Sequence, residues 1–324
     1  IRDMVRDFYK NEIQPNADRI EAMEEGLAPQ LLEKMAELGL LGSHMPEAYG
    51  GLEMDTNTNT LICDVFGPAG SFTVSYAAHT GIGMLPILYF GTEAQKEKYL
   101  PRLINGELKA AYCLPEPSSG SDALAAKTRA DLTEDGSHYL INGQKMWISN
   151  AGFADIFIVF AQIDGDKFTG FIVERDSEGL TLGAEEKKLG IKGSSTRQVF
   201  FNDCPVPVEN MLSERGNGFK IAVNILNIGR IKLGAGVLGG CRAVLGNAIQ
   251  YASERKQFGL SINSFGAVQA KLAEMAIKTY ACESLCYRAG QDVEDRIDAL
   301  EAEGMDPSKA KLKGVEQFAI ECAI

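Results

Sequence analysis

The sequence lacks three features that would each indicate a particular class of protein. Lys and Arg total 32 against 44 Asp and Glu, a formal net charge of −12, so a polyanion such as nucleic acid is repelled on average. The three histidines, His44, His79 and His138, are scattered and no HExxH motif occurs, which argues against a zinc site of that kind. No run approaches the roughly 18 apolar residues of a transmembrane helix. An ordinary globular composition remains, with 45% apolar and 23% charged residues.

Cysteine is present in an odd number, seven, and no two cysteines show CxxC spacing. This pattern is typical of free thiols in a reducing compartment. Cys282 and Cys286 are four residues apart on a predicted helix, where two neighbours on one face more often pack than form a site. The chain begins with Ile1 rather than Met, so we expect the native N-terminus, with any targeting segment, to precede it.

Three regions of different texture follow one another along the chain. Residues 1–110 have apolar positions at helical spacing, and residues 111–213 have short apolar or alternating runs separated by turns such as Asp135-Gly136. Residues 214–324 return to helical spacing. Segregated helices and strands indicate an α+β fold and not a doubly wound sheet. We predict an N-terminal helical domain, a middle antiparallel β-barrel or sandwich domain, and a C-terminal helical domain.

The C-terminal region predicts several long helices. Residues 217–256 contain no proline, and their apolar positions step by three and four, which predicts one helix of up to about 40 residues. We predict a second helix over residues 265–289, a third ending near Gly304, and a fourth beginning at Asp306-Pro307, a suitable pair for a helix start.

The first of these helices contains a GxGxxG pattern, formed by Gly234, Gly236 and Gly239. A dinucleotide-binding fold needs a strand before this pattern and an acid about 20 residues later. The preceding residues step helically, and the nearest downstream acid, Glu254, is too close. Small residues recur every four positions from Ala235. We therefore favour a close contact between helices, with nucleotide binding as the alternative.

Three short segments have compositions suited to a ligand. "YCLPEPSSGSDA" (112–123) packs small hydroxyl residues into one turn, where backbone N–H groups can approach an anion; a plain surface loop is the alternative. "MWIS" (146–149) holds the single tryptophan, a core residue or a stacking surface for a planar cofactor. "ERKQFG" (254–259) ends a helix with two cations, which either compensate the helix dipole or contact a phosphate.

Together these segments give the chain an end-to-end resemblance to the acyl-CoA dehydrogenase family, most like its very-long-chain and related bacterial branch. The matching segments are "LGLLGSHMPEAYGG" (38–51), "GTEAQKEKYLP" (91–101), "AAYCLPEPSSGSDA" (110–123), "INGQKMWISNAGFADIF" (141–157), "EEKKLGIKGSSTRQVFFNDCPVPVENML" (185–212), "GFKIAVNILNIGR" (218–230) and "YASERKQFG" (251–259). The resemblance implies a C-terminal four-helix bundle after the helical and β domains, and its last part is expected beyond this chain.

The resemblance also implies an activity. It implies non-covalent FAD and desaturation of a medium-to-very-long-chain acyl-CoA to the trans-2-enoyl-CoA, a step of fatty acid β-oxidation. Electrons would pass to an electron-transfer flavoprotein, and the location would be the cytoplasm in a bacterium or the mitochondrial matrix in a eukaryote. Two alternatives stay open: a flavin oxidase or monooxygenase of the same fold, and a catalytically silent acyl-CoA-binding or assembly protein.

Matched positions supply candidate site residues. One set would lie along the flavin of its own subunit, and another would reach the FAD of a neighbouring subunit, which implies a homo-oligomer, a dimer or tetramer. The first set is Tyr112, Cys113, Leu114, Ser121, Trp147, Ile148 and Ser149, and the second is Arg255, Gln257, Phe258 and Phe265. The candidate contacts to acyl-CoA are Ser121, Asn227 and Arg230. No metal site is expected.

Two departures from the family pattern concern the chemistry. Pro115 stands where the family usually has Thr, so a hydroxyl and a backbone N–H are lost beside the flavin edge. Gly229 occupies the helix position where some members place the catalytic base, and glycine has no group that accepts a proton. We therefore expect the general-base Glu to lie C-terminal to Ile324.

Overall fold

The computed structural model describes residues 1–318; Cys322 and the end of the predicted C-terminal domain lie outside the described residues. A helical region, a sheet and a second helical region follow one another, so the predicted α+β arrangement is confirmed. The N-terminal helices are α1 (Arg2–Phe8), α2 (Ala17–Glu21), α3 (Leu27–Glu37), α4 (Thr56–Phe66), α5 (Ser71–Ala77), α6 (Leu85–Phe90) and α7 (Glu93–Ile104). The C-terminal helices are α8 (Gly218–Glu254), α9 (Gly266–Ala302) and α10 (Pro307–Gln317).

Two of the N-terminal helices begin at side-chain caps. The Asp55 carboxylate accepts a hydrogen bond of 2.6 Å from the Thr58 backbone N–H at the start of α4. Thr92 and Gln95 form a reciprocal capping box at the start of α7. Each cap satisfies backbone donors that have no partner within the helix, which fixes where these helices begin.

A buried histidine joins the helical region to the first strand. His79 is fully buried after α5, and its Nδ1 accepts the Ala110 backbone N–H at 3.1 Å. Nε2 therefore carries the ring proton and donates to the Leu103 carbonyl at 3.0 Å. Burial lowers the pKa of His79 to about 4, so the ring is neutral and serves as a structural link.

The middle region is one eight-stranded sheet in the order β6-β7-β3-β2-β4-β5-β8, with β1 beside β4. The expectation of an antiparallel barrel or sandwich needs correction, because β1 and β2 run parallel to β4 and the sheet is not closed. Strands β6 and β8 are the two edges of the sheet. A barrel would need them to pair with each other, and β8 has only two residues. The strands are β1 (Ala110–Cys113), β2 (Arg129–Leu132), β3 (His138–Ser149), β4 (Ile156–Ile163), β5 (Lys167–Glu174), β6 (Leu180–Glu185), β7 (Thr196–Pro207) and β8 (Met211–Leu212).

Helices α8 and α9 each have 37 residues. The single long helix predicted over 217–256 is confirmed as α8. The separate second and third helices were a wrong prediction, because α9 runs unbroken from Gly266 to Ala302. Gly290 inside α9 is a packing position: a Cβ there would lie 2.3 Å from Asn57 Oδ1 at the start of α4. A hairpin, β9 (Lys256–Gln257) and β10 (Leu260–Ser261), follows α8.

The glycines of α8 bring this helix against α4 and the turn after it. A Cβ on Gly239 would lie 1.8 Å from the Asp64 carbonyl oxygen, and a Cβ on Gly67 would lie 2.3 Å from the Gly236 carbonyl oxygen. The GxGxxG pattern is therefore a backbone-to-backbone helix contact, as predicted. It lies inside α8 and does not directly follow a strand, as a dinucleotide-binding pattern would.

The sequence shows no uninterrupted apolar run of membrane length, yet α8 is apolar and long enough to cross a membrane when only length and mean hydropathy are considered. In its most apolar 18-residue window, 44% of the residues are buried inside the protein. The core helix of a globular protein satisfies the same criterion, and α8 packs on α4, α9 and β5.

Candidate active site

A large cavity of about 900 Å³ lies among α5, the turn that follows it, α8 and α9. Ser149 at the end of β3 and Ile191 in the β6–β7 loop border it from the sheet. Its walls are mostly apolar, and the charged side chains in the described lining are Arg230, Lys232 and Lys278. Within residues 1–318 the lining contains no carboxylate. The cavity therefore suits a ligand that is largely apolar and carries negative charge.

Trp147 is turned out of the sheet by a β-bulge. The register of β3 and β7 shifts between Lys145 and Ile148, so two residues of β3, Met146 and Trp147, lie opposite one residue of β7, Gln198. Trp147 adopts φ +62° in this bulge and is 55% exposed. A non-glycine residue with positive φ is uncommon and marks a strained position that needs a reason. The bulge leaves the indole exposed, and Ser149, two residues further along β3, borders the cavity, whereas Trp147 is not among the lining residues.

Strand β1 and the turn after it divide their side chains between two sides of the sheet. Tyr112 and Leu114 pack with the core that faces α8, and the buried Tyr112 hydroxyl has no hydrogen-bond partner among the described residues. Cys113 and Ile148 lie in the opposite core, so only their main-chain atoms could reach a ligand on the cavity side. Ser121 is exposed in the turn.

A buried ion pair fastens this turn to the sheet. Lys145 Nζ lies 2.7 Å from Glu116 Oε1, with the side chains 0% and 4% exposed. Lys145 also donates to the Leu114 carbonyl at 3.2 Å, and Glu116 accepts the Lys127 backbone N–H at 2.6 Å. Burial raises the pKa of Glu116, but the Lys145 charge and these hydrogen bonds outweigh it and hold that pKa below its usual range. Burial lowers the pKa of Lys145.

Helix α8 presents the predicted substrate contacts. Asn227 is buried and its side-chain oxygen accepts a hydrogen bond from the Arg230 guanidinium. Arg230 is exposed at the cavity, and no carboxylate lies within 4 Å of it among the described residues. Gly229 borders the same cavity, and a Cβ there would meet only Ile82, at 3.8 Å. The Arg230 guanidinium and the open space at Gly229 thus lie side by side on α8.

The second predicted set lies between α8 and α9, with Gln257 and Phe258 on the hairpin, Arg255 at the end of α8 and Phe265 just before α9. Phe258 and Gly259 at the tip of the hairpin have φ of +52° and +78°, which matches a type I′ turn. Arg255 and Gln257 are exposed, and Phe258 is 93% exposed. The rings of Phe258 and Phe265 meet edge to face, with centroids 6.2 Å apart. None of these four residues lines the cavity of its own chain.

Sequence reasoning missed two residues that shape the site. Lys145 could have been found, because it continues the inward alternation of Tyr139 and Ile141 along β3 and so needed a buried partner. Ile191 has φ +49° and borders the cavity. A β-branched residue in that conformation is an outlier, and no sequence signal indicates it.

Family comparisons cover nearly the whole chain. Residues 1–107 match the acyl-CoA dehydrogenase N-terminal domain, residues 111–204 the middle domain and residues 216–323 the C-terminal domain. The chain is 48% identical over 324 residues to a probable acyl-CoA dehydrogenase of Bacillus subtilis, covering 100% of this chain and 54% of that protein. It is 44% identical over 280 residues to the very long-chain specific acyl-CoA dehydrogenase of Rattus norvegicus, covering 83% and 42%.

A solved structure gives the same result. An acyl-CoA dehydrogenase from Bacillus anthracis, complexed with FAD, superposes with a TM-score of 0.96 at 48% identity and covers 99% of this chain and 55% of that one. The chain spans about half the length of these relatives. The three matched domains, in their order and with this identity, show that the chain belongs to the acyl-CoA dehydrogenase family.

Proposed function

We propose that the protein is an FAD-dependent acyl-CoA dehydrogenase that desaturates a medium-to-very-long-chain acyl-CoA to the trans-2-enoyl-CoA in fatty acid β-oxidation. The observation that carries the proposal is the large cavity. Its apolar walls suit an acyl chain, and the charged side chains in its described lining are all cations, which suits the phosphates of a CoA thioester. The structure from Bacillus anthracis is an FAD complex. The relative from Rattus norvegicus is named a very long-chain specific acyl-CoA dehydrogenase, which also supports the proposal.

The residues predicted to contact a flavin offer chemistry that fits it. Trp147 offers an exposed indole for stacking, Ser149 offers a hydroxyl at the cavity wall, and the buried Tyr112 hydroxyl lacks a partner among the described residues. Main-chain atoms of Cys113 and Ile148, together with Leu114 and Ser121, complete this set. FAD would supply the hydride acceptor for the substrate β-carbon, and these residues would hold and orient it.

Arg230 and Asn227 form the proposed contact to the thioester substrate. The Asn227 side chain orients the guanidinium, and the exposed Arg230 then presents its remaining N–H donors to the CoA portion. Ser121 would add a hydroxyl from the turn. Desaturation also needs a base within about 2.6–3.2 Å of the α-proton. The described lining offers no carboxylate, so we assign that role to a Glu outside the described residues.

The proposal is tested with the visible spectrum of the full-length protein. We expect a yellow protein that bleaches when palmitoyl-CoA is added without oxygen. Rapid recovery of the colour on admitting oxygen, with peroxide released, would indicate the oxidase alternative. A flavin spectrum that does not respond to any acyl-CoA would indicate the silent acyl-CoA-binding protein. Recovery through an added electron-transfer flavoprotein supports that protein as the electron acceptor.

Replacement of Trp147 with alanine is expected to weaken FAD retention. The change removes a side chain that is 55% exposed, so stacking is lost while the buried core keeps its packing. FAD content per chain after dialysis measures the effect. Leu132→Ala, at a 49% exposed position of the same sheet, is the matched control. Equal FAD content in the two variants would remove Trp147 from the flavin site.

Arg255→Gln is expected to lower FAD affinity or loosen assembly in the proposed homo-oligomer. Loss of an exposed charge at a helix end costs only about 0.3–1 kcal/mol, so a larger effect indicates a contact across subunits. Flavin titration and sedimentation measure the two quantities. The neighbouring exposed cation provides the control as Lys256→Gln. If both variants lose the same small amount of FAD affinity and of assembly stability, Arg255 only compensates the helix dipole.

A further inference from the structure

A second, smaller cavity of about 270 Å³ lies on the other side of α8. It is enclosed by the start of α4, the loop before it, α8, α9 and α10. Ile228 and Ile231 from α8, Ile297 from α9 and Val315 from α10 form an aliphatic wall. Lys232 borders this cavity as well as the large one. The proposed desaturation assigns no role to this space.

Two nitrogen-bearing side chains meet at the cavity. Lys232 Nζ lies 3.4 Å from His44 Nδ1. Burial lowers the pKa of Lys232. In its ammonium form Lys232 can only donate, so Nδ1 then accepts and the ring proton lies on Nε2. His44 Nε2 is buried without a hydrogen-bond partner among the described residues, and no carboxylate there lies within 4 Å of Lys232 Nζ. Burial, with the charges of Lys232 and Lys311, lowers the pKa of His44, so the ring stays neutral.

Five carboxylates also line this cavity, and three of them have partners of their own. Glu294 accepts the Thr56 backbone N–H at 3.0 Å, Asp55 caps α4, and Glu53 lies 3.5 Å from Lys311. Asp298 and Glu301 are exposed. A buried donor without an acceptor carries a desolvation cost that a ligand would relieve. Where Lys232 and His44 meet, the cavity thus presents N–H donors without a carboxylate partner among the described residues, beside an aliphatic wall.

We propose that this cavity binds the carboxylate of an aliphatic acid. One carboxylate oxygen accepts from Lys232 Nζ and the other from His44 Nε2, while the hydrocarbon part packs on the isoleucines. Two sources share this chemistry. The ligand is either a free fatty acid, or the ω-carboxylate of an acyl chain that passes Lys232 from the large cavity, and the second source rests on the proposed function.

Calorimetric titration of the full-length protein with hexanoate tests the free-acid source. We expect saturable binding that Lys232→Met weakens by about tenfold or more, because a charge-assisted hydrogen bond is lost. His44→Phe, which removes the second donor and fills space, should also weaken it. Lys313→Met, at an exposed position of α10 outside the cavity lining, should bind as the unaltered protein does. Hexanol should not bind measurably.

Flavin bleaching with hexadecanedioyl-CoA and palmitoyl-CoA tests the second source. Lys232 also borders the large cavity, so the variant for this test is His44→Phe, at a residue that lines the smaller cavity and not the large one. If the diacid thioester loses affinity on His44→Phe and palmitoyl-CoA does not, the carboxylate comes from the substrate. Hexanoate binding that depends on Lys232, in a protein that palmitoyl-CoA fails to bleach, would overturn the proposed function and keep the carboxylate site. If Lys232→Met binds hexanoate and hexadecanedioyl-CoA as tightly as the unaltered protein does, the proposal of a carboxylate site is wrong. So would equal binding of hexanol and hexanoate.

Discussion

Lys145→Met is expected to lower the free energy of unfolding by about 3–5 kcal/mol, the range for removing one partner of a buried ion pair. Glu116 would keep its charge 4% exposed with no cation beside it. The Leu114 carbonyl would also lose its donor. Denaturant titration of the full-length protein measures the loss. Because the same turn carries Leu114 and Ser121, FAD retention should fall with it.

Two further variants decide how this effect arises. The double variant Lys145→Met with Glu116→Leu removes both charges, and we expect it to recover most of the lost stability. Lys98→Met breaks an ion pair with Glu174 whose side chains are 54% and 38% exposed, so it should cost at most about 1 kcal/mol. A Lys145→Met variant no less stable than Lys98→Met would contradict the assignment of a buried anchoring pair.

Gly239→Ala should also destabilise the protein strongly, by about 2–3 kcal/mol. The new methyl group would lie 1.8 Å from the Asp64 carbonyl oxygen, and backbone atoms of a helix cannot move aside as a flexible side chain can. Overpacking of this kind costs about 1–3 kcal/mol, occasionally more, and exceeds the gain in helix propensity of up to about 1 kcal/mol. Thermal unfolding of the full-length protein measures the effect.

Gly246 provides the matched control in the same helix. A Cβ at Gly246 would meet nothing within 4 Å, so Gly246→Ala should gain stability of up to about 1 kcal/mol from helix propensity alone. The two substitutions add the same atom to the same helix with opposite expected signs. If Gly239→Ala stabilised the protein as Gly246→Ala does, the α4–α8 contact would be looser than the structure shows.

The order of the three regions could be predicted because hydrophobic periodicity differs between helices and strands. Sheet topology could not, since the pairing of β1 with β4 joins residues that are far apart in sequence and no local pattern encodes it. The break predicted between residues 289 and 304 was wrong for a related reason. The small residues Ala289 and Gly290 are typical of a helix end, yet they let α4 approach α9 closely.

The candidate site was predictable where motif and structure coincide. Ser149 and Arg230 do border the cavity, whereas Trp147 is exposed and is not among its lining residues. Side-chain direction was not predictable from the motif, which includes Cys113 and Ile148 although both point into the opposite core. His44 and Lys232 are 188 positions apart and belong to no shared motif, so only the folded chain brings them together.

The α8 contacts also order events during synthesis. Asp64 in α4 is buried and bonded to Arg242 in α8, 178 positions later. At about 5–20 residues per second, a ribosome needs about 10–35 s to add that length of chain. During that interval the face of α4 that packs against α8 is exposed in the nascent chain, and so is the Asp64 carboxylate, which the folded chain buries. The N-terminal helices therefore complete their packing only after the entire sheet has been made.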